Sequence, residues 1–103
     1  MQLDPINLEI IWNRLVAAAD EAAAAVVRTS FSTNVRESND YACVLTDAAG
    51  NLLAENRASI PAFCDCLGRS VKLFLEHFPA ASWRAGDAIL TNDPWFGTGH
   101  LPD

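Results

Sequence analysis

His100 and Asp103, three residues apart, are the side chains in this sequence best suited to chemistry. An imidazole nitrogen beside a carboxylate oxygen suits Zn²⁺, Mn²⁺ or Fe²⁺. Catalytic sites of that kind ordinarily use three protein ligands, so the pair is one short. Asp93 is one candidate for the third, and a residue beyond position 103 is the other. The surrounding run, residues 92–103, also holds Trp95, Phe96 and Leu101 with two prolines and two glycines. Chain ends are usually polar and frayed. Prolines fix a loop's course and glycines allow close backbone approach, so this run reads as a stiff, shaped loop. A His-x-x-Asp spacing also arises by chance, and Asp103 could equally hydrogen-bond a turn.

Other chemistry is thinly represented. The three cysteines are Cys43, Cys64 and Cys66. Structural zinc favours a C-x₂₋₄-C spacing and four ligands, so the C-x-C pair reads as inert, buried thiol. An odd count suits a reducing compartment better than a disulfide framework. No Gly-rich phosphate loop, G-x-S-x-G elbow or His-Glu-x-x-His is present. His77 falls late in a helix, where a cation suits the helix dipole, and is expected to be structural.

The elements that must position the loop follow from periodicity. Asp4 as cap and Pro5 at the first helical position open a helix over 5–29. Leu8, Trp12, Leu15, Ala19, Ala22 and Val26 recur at steps of three and four and are expected to form its buried stripe. Residues 30–41 are polar and aperiodic, a loop with short turns. Strands at 42–46 and 51–55 flank Asp47-Ala48-Ala49-Gly50, a hairpin turn in which Gly50 takes positive φ. A second helix over 63–78 carries Leu67, Val71, Phe74, Leu75 and Phe78 on one side and stops at Pro79. Leu15 and Leu75 are expected to face each other. Residues 83–87 turn into a short strand at 88–91, which leads to the loop. The order predicts an α+β fold, with helices on one face of a small sheet, as an incomplete part of a larger domain.

Composition narrows the function. The 103 residues are 50% hydrophobic and 19% charged, an ordinary globular balance. Thirteen acidic against seven basic residues give a net charge of −6, which opposes nonspecific nucleic-acid binding. No apolar run reaches the ~20 residues of a membrane span. The first residues have no basic n-region of a signal peptide, so the expected location is the cytoplasm.

Asn92-Asp93-Pro94 followed by Gly97-Thr98-Gly99-His100-Leu101-Pro102-Asp103 resembles the hydantoinase B/oxoprolinase family. Asp4-Pro5 before Leu8-Glu9, Arg28-Thr29-Ser30-Phe31-Ser32, Asn34-Val35-Arg36-Glu37, Asp40-Tyr41-Ala42-Cys43, Asp47-Ala48-Ala49-Gly50-Asn51-Leu52 and Gly86-Asp87 extend the likeness over nearly the whole chain. Gly97-Thr98-Gly99 departs from the usual Gly-Gly-Thr or Gly-Gly-Ser and leans towards the N-methylhydantoinase B-like branch. The resemblance implies an N-terminal portion, residues 1–103, of a longer hydrolytic subunit. Such subunits open cyclic amides with ATP, which a hydantoinase A-like partner or fused domain binds. Relatives that carboxylate ketones such as acetone are an alternative, as is a non-catalytic binding module of the same origin. By position, His100 and Asp103 become ligands of a divalent metal (Mn, Zn or Fe), with the third ligand downstream. On this reading Arg36 holds a carboxylate or phosphate, Glu37 or Asp40 acts as base, and Asp93 belongs to the site. A solvated ion-pair cluster is the alternative for Arg36, Glu37 and Asp40. The isolated chain is expected to be inactive.

Overall fold

The computed structural model describes residues 3–97. In chain order these form α1 (Pro5–Thr29), α2 (Thr33–Ser38), β1 (Val44–Thr46), β2 (Leu52–Glu55) and α3 (Pro61–His77), then a 3-10 turn at Ala80–Ser82. The α+β class stands.

The start of α1 is set as its sequence indicates. Asp4 Oδ1 accepts the Asn7 N–H at 2.8 Å, and Pro5 needs no donor partner at the first position. The Ser30 N–H closes the last turn on the Val26 carbonyl. The buried stripe, however, is Ala19 and Ala23 flanked by half-buried Leu15, Val16 and Val27. Leu8, Trp12, Ala22 and Val26 are exposed. Alanines let α1 lie close on β2, where Ala54 is 2% exposed, and the stripe follows that contact rather than the largest side chains. Each buried methyl contributes roughly 0.8 kcal/mol, so this seam is built from small increments.

β1 and β2 pair antiparallel, with Val44 opposite Glu55, Leu45 opposite Ala54 and Thr46 opposite Leu52. A register shift beyond Leu45 leaves Leu53 as an extra residue, a bulge of the kind that bends and twists a ribbon. Glu55 acts on the Cys64 thiol of α3, and Thr46 shares a hollow with Val71 and Leu75. Leu45 and Ala54 alternate to the other face of the ribbon. Both long helices pack on the hairpin, α1 mostly on β2 and α3 on both strands. A two-stranded ribbon has two faces to cover. Leu15 and Leu75 are both half-buried.

Residues 88–91 form no strand. They run as irregular chain, with Leu90 99% exposed, and among the described residues no β-strand lies beside them to complete a ladder. α2 arises inside the stretch expected to be loop. Ser32 Oγ accepts the Val35 N–H at 3.4 Å, and Asn39 ends the turn in the left-handed region at φ 53°. Asn tolerates that conformation better than other non-glycine residues.

Candidate functional site

The loop that leads towards Gly97 is seated on α3. Asp93 Oδ1 accepts the Trp95 N–H at 2.9 Å, and the Asp93 carbonyl accepts the Phe96 N–H at 3.1 Å. Thr91 Oγ1 accepts the Asp93 N–H at 3.1 Å. These bonds form an Asx-type turn, the arrangement Asp favours because its side chain mimics a backbone acceptor. The turn drives Phe96 onto α3. Its ring stacks on Phe74 with centroids 5.8 Å apart and planes 7° from parallel. The edge of His77 meets the same ring at 5.2 Å and 67°. Such pairs add about 0.5–1.5 kcal/mol beyond their buried area.

Ser70 also meets the loop. Its side chain is buried, and its hydroxyl reaches both the Phe96 carbonyl and, at 2.9 Å, the Cys66 carbonyl of its own helix. A hydroxyl carries one proton, so the loop competes with the helix for this donor. His77 Nδ1 lies 3.0 Å from the Leu73 carbonyl. A carbonyl only accepts, so Nδ1 carries the hydrogen, which fixes the tautomer of the neutral ring. The structural role expected for His77 is consistent with this bond.

The sequence-derived candidates divide into two groups. Arg36 and Glu37 stand on α2, which packs on α1, and Asp40 follows just after it; all three are exposed. Asp93 lies in the seated loop. Among the described residues no hydrogen bond or ion pair joins Arg36, Glu37 or Asp40 to Asp93, or to one another. The ion pair present there is Asp20–Arg57, which ties α1 to the end of the hairpin, with Asp20 Oδ1 also accepting the Arg57 N–H at 2.8 Å. His100 and Asp103 lie outside the described residues.

The described residues hold no group of three or more His, Cys, Asp or Glu side chains placed to bind a metal. The three cysteines are free thiols. Burial pushes the Cys43 thiol up, and burial with the Glu55 side chain does the same to Cys64. The described residues therefore do not by themselves fit a metal.

Sequence reasoning missed the seat itself. Ser70, Phe74 and His77 follow one another at steps of four and three along α3. That spacing is a signal in the sequence, but Phe74 fits the hairpin-facing stripe equally well by period. The candidate function of the loop is then a matter of family. Residues 4–103 match the hydantoinase B/oxoprolinase family. The chain belongs to that family. It is 35% identical to a 5-oxoprolinase of Dictyostelium discoideum over 99% of its own length and 8% of that protein. It is 38% identical to an uncharacterized Schizosaccharomyces pombe protein over 98% of the chain and 8% of that protein. A putative D-/L-hydantoinase B-type polypeptide from a Pseudomonas strain is 31% identical over 99% of the chain and 18% of that protein. The chain thus spans under a tenth of the 5-oxoprolinase and under a fifth of the hydantoinase polypeptide. No solved structure gives a significant match. No helix among the described residues is long and apolar enough to cross a membrane.

Proposed function

We propose that this chain is the N-terminal portion of a hydrolytic subunit that opens cyclic amides of the 5-oxoproline or hydantoin type at the expense of ATP. The observation that carries the reading is the family match over residues 4–103, together with relatives named as a 5-oxoprolinase and a putative D-/L-hydantoinase. An unstrained amide resists water, so coupling to ATP supplies the driving force. The nucleotide is assigned to a hydantoinase A-like protein or fused domain, as the family resemblance implies. Work in the cytoplasm is in keeping with three free thiols.

His100 and Asp103 are assigned as two ligands of a divalent first-row metal, on the chemistry of the pair and on family position. Asp93, seated on α3 a few residues earlier, is assigned to the same site. Arg36 is assigned to hold a carboxylate or phosphate, with Glu37 or Asp40 as base. Their exposed position on and after α2 leaves them accessible to substrate or to the remaining protein. The test is turnover by the intact protein with its ATP-binding partner, using 5-oxoproline and a hydantoin as substrates. ATP-dependent ring opening that His100→Ala abolishes, together with loss of bound metal, supports the reading. Absence of ring opening in the wild type overturns it, and unchanged metal content in His100→Ala removes the ligand assignment.

A further inference from the structure

We propose that the groove between α3 and the 94–97 turn binds the acidic end of a small planar ring, with the Arg69 guanidinium as its anchor. This deepens the cyclic-amide reading and rests on it for the class of substrate. The groove encloses about 580 Å³ and is walled by Arg69, Leu73 and Glu76 of α3 and by Trp95 and Gly97 of the turn. That volume is in the range of small-molecule sites.

Three observations converge there. Arg69 is exposed, and its guanidinium has no ion pair or hydrogen bond among the described residues. In a chain of net charge −6, an unpaired guanidinium lining a groove is a local reversal of sign that attracts anions. Lys72, the other cation of this groove, packs under Gly50, and its charge helps hold the Asp47 carboxyl low, so Arg69 is the better anchor. Second, the seat explains why the groove has an aromatic wall. Phe96 is taken up by Phe74, His77 and Ser70, which leaves neighbouring Trp95 88% exposed at the groove's rim. A flat indole offers a stacking surface for a planar ring. Third, Glu76 lies two turns beyond Arg69 on α3 and supplies an acceptor for a ring N–H.

A carboxylate anchored beside a flat, stacked ring describes a lactam acid. Arg69 holds the carboxylate through two parallel N–H···O bonds, a geometry lysine cannot reproduce. No bond is made or broken in this step; the groove binds and orients.

The test uses the intact protein with Arg69→Ala, Arg69→Lys and Trp95→Ala. Calorimetric titration compares a five-membered lactam bearing a carboxylate, the same lactam without it, and inorganic phosphate. Arg69→Ala should weaken the acidic lactam about tenfold or more and change the neutral lactam by less than about twofold. Arg69→Lys should recover part of the loss, and Trp95→Ala should weaken both lactams. Competition by phosphate alone, with no Arg69-dependent lactam binding, overturns the ring-binding proposal, as does wild-type affinity in Arg69→Ala. Ring opening with unchanged affinity in Arg69→Ala would overturn the groove and leave the hydrolase reading standing. Arg69-dependent binding without ring opening would do the reverse.

Discussion

Gly50 is where the hairpin turn meets α3, and replacing it separates two physical costs. Its φ is 83°, a conformation L-residues adopt poorly. A Cβ built there would lie 2.8 Å from Lys72 Cγ and 3.3 Å from the Lys72 backbone nitrogen. The side-chain carbon can move, but the helix backbone cannot without shifting α3. Gly86 supplies the control. Its φ is 94°, and a Cβ there would meet nothing within 4 Å. Gly86→Ala should therefore cost about 1–2 kcal/mol from the backbone alone. Gly50→Ala should cost that plus about 1–3 kcal/mol of overpacking, roughly 2–5 kcal/mol in all. Urea unfolding of the intact protein, followed by a probe in this region, measures both. Equal losses for the two variants would refute the close approach of turn and helix. A loss below about 0.5 kcal/mol for Gly50→Ala would refute the backbone argument as well.

Asn56 is 1% exposed, and its Oδ1 accepts the Cys43 N–H at 2.9 Å, extending the ladder by one residue pair. Asn56→Ala should cost about 1–3 kcal/mol in denaturant unfolding, because it leaves that part-buried donor unmet. Asp47 accepts N–H bonds from Ala49 and Asn51 and from the Asn51 side chain, and those to Asn51 lead in holding its carboxyl below the usual 3.8. A carboxyl lowered on folding stabilises above its unfolded value and ceases to do so as pH falls through the folded value. The stability gap between wild type and Asp47→Asn should therefore be larger at about pH 6 than at about pH 3. A gap that widens in acid would contradict the hydrogen-bond assignment.

The helices and the hairpin are legible in the sequence because their signals are local. Asp4-Pro5 marks a helix start, Asp47 to Gly50 marks a turn, and Pro79 marks a stop. Periodicity places Leu15 and Ala19 correctly on α1 but extends the stripe to Leu8, Trp12, Ala22 and Val26, which are exposed, whereas the buried pair is Ala19 and Ala23. The strand expected at 88–91 fails for a related reason. A short apolar run after a turn suggests extended chain, but a strand exists only where another strand lies alongside. For the site, the Asp93 turn can be read from residue types, since Asn-Asp-Pro favours Asx turns. The seating of Phe96 cannot, because it depends on which face of α3 the hairpin leaves open.

That division of α3 links fold to chemistry. Cys64, Gly68 and Val71 meet the hairpin, while Ser70, Phe74 and His77, on an adjoining face, meet the loop. One helix thereby couples the hairpin to the turn that leads into the His100 segment. Substitutions on the first face act through packing and move stability. Those on the second act on the seating of Phe96. Ser70 shows why the second face is finely balanced: its single proton serves either the Cys66 carbonyl within the helix or the Phe96 carbonyl of the loop. The net gain from docking the loop through that bond is the difference between two similar hydrogen bonds, so the aromatic contacts of Phe96 carry the larger share of the seat.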